Sequence, residues 1–316
     1  MVSFLLALIL ALPVRAASPA VFDDTNERLQ SLISFSPQEL SVSGRDVLVA
    51  VIDSGVSFKV PALRTNLVPG WNFVSGDEQM IDYDGHGTAV AGIVLELAPQ
   101  ASLLPLVVAR NGGASVEALV GAIVYALNHE AAVINLSIGV TEEILEDVLR
   151  AVGPEALQKS LLVISAGNDS RKLPPFSAKW KNVITVAAMS LDLPLALAHY
   201  SAYGNGVDIA APSGVAGDGI ATWTPQNTRR LFNGTSGAAP VVAGAAALLK
   251  EKYPNADGAS LKQKLLNYSC RSHNIKVKNG RVLNIESLLK ENAHCMYEAL
   301  PQGPLDPLSE DFKSRP

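Results

Sequence analysis

Short apolar runs alternate with helical patterns between residues 47 and 212, and this alternation strongly limits how the chain can fold. Five runs read as buried strands: residues 47–52, 132–136, 161–166, 183–188 and 207–211. Residues 115–130 carry apolar side chains at helical spacing, so one face of that segment should pack on a sheet. Strands that alternate with helices predict a doubly wound α/β fold, a mostly parallel sheet with helices on both faces. Two more helices are predicted near 258–268 and 284–290.

Three glycine-rich strings place an aspartate, a histidine and a serine in that order along the chain. Asp53 lies in VIDSG (51–55), His86 in DGHGT (84–88) and Ser236 in NGTSG (233–237). Asp53 follows the first predicted strand, and open α/β sheets place their crevices at the carboxyl ends of strands. Ser236 precedes a predicted helix over 237–249, with Pro240 in its first turn, and a helix N-terminus favours developing negative charge. These residue types form a nucleophilic triad.

The three strings together resemble the subtilases, the subtilisin-like serine proteases, which have the same chain order of aspartate, histidine and serine. The resemblance covers about residues 44–284. Two further strings agree with it: VISAGN (163–168) ends at Asn168, where the family carries an oxyanion-hole amide, and Ser137-Ile138-Gly139 matches a substrate-binding segment. The resemblance implies an endopeptidase in which Asp53 orients His86, His86 activates Ser236, and Asn168 stabilises the oxyanion. It places the substrate beside Ser137, Ile138, Gly139, Ser165, Ala166 and Gly167.

The first substrate pocket allows two readings. Gly139, Ser165 and Ala166 are small, which favours an open pocket for apolar or aromatic side chains. Glu142 and Glu143 follow the same edge and favour basic side chains instead. Both preferences stay open at this point.

Several positions depart from the family pattern. Relatives usually carry a histidine, a methionine and a second histidine where this chain has Ala89, Gly237 and Val241. The packing around Ser236 should therefore differ from that of relatives. The segment 97–101 also lacks the insertion that forms a calcium loop in many subtilases, so we expect no high-affinity calcium site there. We predict no metal ligands and no cofactor for the site.

Two other functional classes remain open. One is a catalytically silent subtilase fold that serves as a binding scaffold. The other is an unrelated hydrolase or a Rossmann-type enzyme. It is disfavoured because the serine string lacks the final glycine of a nucleophile elbow and no Gly-x-Gly-x-x-Gly follows the first strand.

The chain divides into four predicted segments. Residues 1–16 read as a signal peptide, because a nine-residue apolar run over 4–12 precedes small residues. An uncleaved anchor is the alternative. Residues 17–44 form a lead-in with one short helix and a loop between 24 and 40. Residues 45–298 form the catalytic domain, and 299–316 a disordered tail. We therefore expect a secreted or periplasmic protein.

Charge and cysteine content limit the partners. The 316 residues include 25 basic and 30 acidic side chains, a net charge of −5, without a basic stripe. This argues against nucleic acid as a partner. We expect a peptide or protein substrate, and no membrane contact once the signal peptide is removed. Cys270 and Cys295 should form a disulfide in an exported protein, with a zinc site that includes His273 and His294 as the alternative.

Overall fold

The computed structural model describes residues 19–36, 40–110, 113–175 and 179–297. Its strands are β1 (Leu48–Asp53), β2 (Trp71–Asn72), β3 (Ser102–Val107), β4 (Ala109–Arg110), β5 (Gly113–Ala114), β6 (Val133–Leu136), β7 (Leu161–Ser165), β8 (Val183–Met189), β9 (Ile209–Pro212), β10 (Ile220–Trp223), β11 (Arg229–Phe232), β12 (Cys270–Arg271) and β13 (Arg281–Val282). Nine of them form one sheet in the order β12-β13-β9-β8-β7-β6-β1-β3-β2, and only the β12–β13 pair is antiparallel. Two short hairpins, β4–β5 and β10–β11, stand beside the sheet.

Helices cover both faces of this sheet, as the alternating pattern predicts. They are α1 (Pro19–Leu32), α2 (Pro61–Arg64), α3 (His86–Leu97), α4 (Val116–Asn128), α5 (Glu142–Val152), α6 (Thr235–Lys252), α7 (Gly258–Asn267) and α8 (Ile285–Leu289). The α3 and α6 helices pack on one face in a large apolar core, and α4 and α5 pack on the other face in a second core. The prediction of a doubly wound, mostly parallel sheet is confirmed.

The five predicted strands form β1, β6, β7, β8 and β9, with ends shifted by two residues at most. Their apolar runs are continuous because both faces of the sheet are covered; every residue of β8 is buried. The sequence analysis missed β3, which contains Pro105, since proline cannot donate to a strand ladder and is typical of edge strands. Here the outer neighbours of β3 are short: the two-residue β2 and a single bridge between Leu67 and Leu103.

Two helices need correction. The sequence analysis missed α5, although its apolar positions Leu145, Val148 and Leu149 lie at helical spacing and are buried. The helix that carries Ser236 begins at Thr235, two residues earlier than predicted, and ends at Lys252. Pro240 therefore lies in the second turn and not in the first. Its missing amide leaves the carbonyl of Ser236 without the usual helical donor.

The sheet reverses its winding direction at β1, which lies between β3 and β6. Chain connections run to opposite sides of β1, so a crevice is expected outside the carboxyl ends of these strands. Asp53 is the last residue of β1, Ser137 directly follows β6, and Asn168 follows β7 by three residues. The predicted site residues therefore lie at one edge of the sheet.

The lead-in helix α1 is attached to this domain by polar contacts. Asn26 donates to the carbonyl of Ala221 (3.3 Å) and accepts from its amide (3.0 Å). Arg28 forms ion pairs with Asp192 (2.7 Å) and Asp218 (2.5 Å). The helix thereby contacts the β10–β11 hairpin. It begins at Pro19, five residues before the stretch 24–40 in which a short helix is predicted, and overlaps that stretch as far as Leu32.

The predicted signal peptide (1–16) and C-terminal tail (299–316) lie outside the described residues. Within the part of the chain that the structure covers, no helix is both long enough and apolar enough to cross a membrane. Cys270 and Cys295 form the predicted disulfide. The sulfur atoms bond to each other, so neither is left as a thiolate for the zinc site considered above.

Candidate active site

Asp53, His86 and Ser236 line one cleft of about 330 Å³, together with Ser137, Ile138 and Gly139. β1 ends at Asp53, α3 begins at His86, and Ser236 is the second residue of α6. Both helices start at the same edge of the sheet and lie on the same face. A strand end and two helix starts thus bring together residues that are far apart in the sequence.

The imidazole of His86 is held by Asp53. Its Nδ1 atom lies 2.8 Å from Oδ1 of Asp53, which also accepts from the amide of Ser54 at 2.8 Å. The Asp53 side chain is almost fully buried, whereas one third of the His86 side chain is exposed. A bond at Nδ1 fixes the tautomer of a neutral histidine and leaves Nε2 as the acceptor. His86 is therefore arranged to take a proton in the cleft.

Electrostatics raise the pKa of His86. Burial of the ring works to lower the pKa, but the charge and hydrogen bond of Asp53 outweigh it, with a smaller contribution from Asp82. The Oδ2 atom of Asp53 is buried and has no hydrogen-bond partner among the described residues. A buried, unpaired carboxylate oxygen beside the ring favours the imidazolium that forms when His86 accepts a proton.

Asp82 organises the turn behind the histidine, and the sequence analysis missed it. Its Oδ1 accepts from the hydroxyl of Ser54 (2.8 Å) and the amide of Gly85 (2.8 Å). Its Oδ2 accepts from the amide (2.8 Å) and hydroxyl (2.5 Å) of Thr88. The signal was present: an aspartate three residues before a glycine turn is a common turn-forming residue.

Gly87 allows α3 to approach Asp53 closely. A Cβ atom at this position would lie 2.1 Å from the carbonyl oxygen of Gly55 and 3.1 Å from Oδ1 of Asp53. No side chain fits there without moving the main chain. The glycine after His86 in the DGHGT string is thus required by the close approach.

The Ser236 hydroxyl donates to the main-chain carbonyl of Ser137 at 2.9 Å. Its position in the first turn of α6 places its amide among the N–H groups that have no partner inside the helix. Catalytic hydrogen bonds are often looser before substrate binds. A Ser236 hydroxyl that points to Ser137 and not to His86 in the free protein is therefore compatible with a role as nucleophile.

Asn168 is oriented by the residue that precedes Ser236. Its Oδ1 accepts from both the amide (2.8 Å) and the hydroxyl (2.9 Å) of Thr235. The same hydroxyl accepts from the amide of Gly167 at 3.1 Å. Because the carbonyl end of the amide is fixed in this way, Nδ2 of Asn168 is left as the free donor end. The orienting role of Thr235 was not predicted from the sequence.

The other predicted substrate residues line a pocket that adjoins the cleft. This pocket of about 280 Å³ is lined by Ser165, Ala166, Gly167 and Asn168, and it shares Ile138 and Gly139 with the cleft. Glu142 also lines it, but Glu143 is exposed elsewhere. The structure thus brings the predicted site residues together in two joined cavities. The disulfide lines neither.

The sequence profile described as the Subtilase family matches residues 44–288. The chain belongs to the subtilase family. Thermitase from Thermoactinomyces vulgaris is 34% identical over 235 residues, 68% of this chain and 78% of that protein. Subtilisin Savinase from Lederbergia lenta is 32% identical over 256 residues, 78% of this chain and 91% of that protein. The crystal structure of a lanthipeptide protease aligns with a TM-score of 0.73 at 23% identity, over 85% of this chain and 95% of that one. As a subtilase, the protein is a serine-type endopeptidase.

In this subtilase, the packing around Gly237 explains why a glycine follows the serine where relatives usually carry a methionine. A Cβ atom at Gly237 would lie 2.4 Å from the hydroxyl oxygen of Ser213 and 3.3 Å from the ring of Phe232. Ser213 donates to the carbonyl of Gly234 (2.7 Å), and Phe232 packs edge-on against His86, with ring centroids 5.2 Å apart. These two side chains fill the space beside the serine turn. Neither contact has a local sequence signal, because both depend on tertiary packing.

Proposed function

We propose that this subtilase is an exported endopeptidase that cleaves peptide bonds through Asp53, His86 and Ser236, with an acyl-enzyme as intermediate. The observation that carries the proposal is the 2.8 Å contact between His86 Nδ1 and Asp53 Oδ1, beside Ser236 in the same cleft. This is the arrangement of orienting carboxylate, base and nucleophile that acyl transfer requires.

The reaction begins at the Ser236 hydroxyl. When substrate binds, the hydroxyl leaves the carbonyl of Ser137 and donates to Nε2 of His86. His86 takes the proton while Oγ attacks the peptide carbonyl, and Asp53 stabilises the imidazolium. The imidazolium then gives the proton to the leaving amine, and water hydrolyses the ester by the same steps in reverse roles.

Two donors stabilise the negative oxygen of the tetrahedral intermediates. One is Nδ2 of Asn168, whose amide is oriented by Thr235. The other is the main-chain amide of Ser236 at the start of α6. Donors that are fixed before the reaction need no reorganisation when the charge develops, which makes them effective in the transition state.

The substrate lies along the segment Ser137 to Gly139, where main-chain pairing tolerates varied side chains. Its side chain before the cleaved bond enters the adjoining pocket, between this segment and Ser165, Ala166 and Gly167. Export is supported by the apolar N-terminal run, which is typical of a signal peptide, and by the disulfide, which persists in oxidising compartments.

A direct test compares the wild type with Ser236→Ala. Wild-type protein should cleave peptides and react with a fluorophosphonate, whereas Ser236→Ala should lose activity on the order of 10⁶-fold and lose the label. Exposed Ser31 lies outside the cleft, and Ser31→Ala is the matched control that keeps both properties. A folded wild type that neither cleaves nor reacts would refute the proposal and favour a binding scaffold.

A further inference from the structure

The pocket beside the cleft contains an ion-pair network that the catalytic mechanism does not use. Its apolar lining includes Leu145, Ile164 and Leu173. Among the described residues, its charged lining consists of Glu142, Asp169 and Arg171. Two carboxylates and one guanidinium leave this lining with one net negative charge.

Arg171 joins the two segments that line the pocket. Its Nη2 lies 3.1 Å from Oε1 of Glu142, and its Nη1 donates to Oε2 of the same carboxylate at 3.2 Å. Its Nε lies 3.2 Å from Oδ2 of Asp169. Glu142 begins α5, whereas Arg171 follows β7, so the two-pronged contact crosses from one segment to the other. Bidentate pairs of this kind are stronger and more specific than single contacts.

The pair is partly open to solvent. The Arg171 side chain is 50% exposed and that of Glu142 is 27% exposed. Solvent and salt weaken the contribution of such a pair to the free energy of folding, even where its geometry is bidentate. The network also lines the pocket that the substrate side chain would enter.

We propose that Arg171 determines the specificity of this pocket: it satisfies Glu142, so the pocket selects apolar side chains and rejects basic ones. The inference rests on the proposed function and names the substrate class. A basic side chain would have to break the bidentate contact and would then lie beside the displaced guanidinium, which repels it. An apolar side chain lies against Leu145, Ile164 and Leu173 and leaves the pair intact.

The test measures kcat/KM for two peptides that differ only before the cleaved bond, one with leucine and one with arginine. The wild type should prefer leucine. Arg171→Gln leaves the Glu142 and Asp169 carboxylates uncompensated and should raise the arginine-to-leucine ratio about tenfold. The double variant Glu142→Gln with Arg171→Gln should return the ratio to the wild-type value. Arg171→Lys keeps the charge with a single contact and should give a smaller rise.

A matched control comes from the same helix. Arg150 pairs with Glu146 of α5 (2.7 Å) and does not line the pocket. Arg150→Gln therefore removes an exposed arginine–glutamate pair of the same helix outside the pocket and should leave the ratio unchanged. The gain in Arg171→Gln should also shrink at high salt, because an exposed carboxylate is screened, whereas a change in pocket shape would be insensitive to salt.

Fluorophosphonate labelling of every variant separates the two proposals. A wild type without label refutes the catalytic proposal and this inference with it. Labelled proteins whose ratio is the same in wild type and Arg171→Gln refute only the role of Arg171. A wild type that cleaves after arginine as readily as after leucine also refutes it.

Discussion

The two joined cavities hold their polar groups in opposite ways. At the cleft, the side chains of Asp53 in its lining and of Asp82 behind His86 are buried, and the contacts around them fix the turn that carries His86. In the adjoining pocket, Glu142 and Arg171 pair near solvent. Disturbing a buried polar network costs free energy, because a group that loses its partner cannot form a hydrogen bond with water instead. An exposed ion pair rearranges at little cost in free energy. We infer that the cleft is built for fixed geometry and the pocket for adjustable selectivity.

After Ser236 itself, Asn168 should show the largest effect, because it lines the pocket and is held by Thr235, the residue before the nucleophile. In the proposed mechanism Asn168→Ala removes a donor that acts only in the transition state, so kcat should fall about a hundredfold or more with KM little changed. Steady-state kinetics with one peptide gives both constants. A rise in KM at constant kcat would show that Asn168 binds substrate and does not stabilise the oxyanion. It would also weaken the distinction between a cleft of fixed geometry and a pocket of adjustable selectivity.

Gly237 tests how tightly the cleft is packed. Gly237→Ala places a Cβ atom 2.4 Å from the Ser213 hydroxyl oxygen, so either Ser213 loses its bond to Gly234 or the start of α6 moves. Overpacking of this kind costs about 1–3 kcal/mol, and thermal unfolding should reveal it. Activity should fall with it because Ser236 is the adjacent residue.

Ser213→Gly in the Gly237→Ala background is the matched rescue. It removes the atom that the new methyl group would contact, so it should recover part of the lost stability. If Gly237→Ala is as stable and active as the wild type, the turn around Ser236 is more adaptable than this packing implies, and the contrast with the pocket is lost.

Asp82 should give a small shift in pH dependence, together with a loss of stability, because an asparagine Nδ2 cannot accept the N–H and O–H donors that the carboxylate accepts. His86 must be neutral to act as a base, so its raised pKa places the acidic limb of kcat/KM above the ordinary histidine value of about 6.5. Asp82→Asn removes a charge that raises this pKa, and the limb should therefore move to lower pH. Glu78→Gln removes an exposed charge four residues earlier in the chain and serves as the control. If the acidic limb of kcat/KM lies at the same pH in Asp82→Asn as in the wild type, the role of Asp82 is purely structural.

The sequence predicts the sheet better than the details of the site. Continuous apolar runs give β1, β6, β7, β8 and β9, because burial on both faces leaves a local signal. The β3 strand escapes detection because Pro105 is atypical of a strand inside a sheet. The error at the start of α6 has a similar origin, since Pro240 is expected in a first turn and lies in the second.

Within the site, the glycine-rich strings carry Asp53, His86 and Ser236, since close approach leaves room only for small residues. The partners that orient them are harder to predict. Thr235 and Asp82 stand in recognisable local patterns, but Phe232 and Arg171 contact the site only through tertiary structure. The side-chain preference of the pocket stayed open for this reason: the sequence shows Glu142 but not the arginine that pairs with it.

Peptide mapping and mass spectrometry of the fluorophosphonate adduct test directly whether Ser236 is the nucleophile. One adduct is expected on Ser236, and none in protein that carries Ser236→Ala. An adduct on another serine, or none on a folded and fully exported chain, would contradict the assignment of Ser236 as the nucleophile.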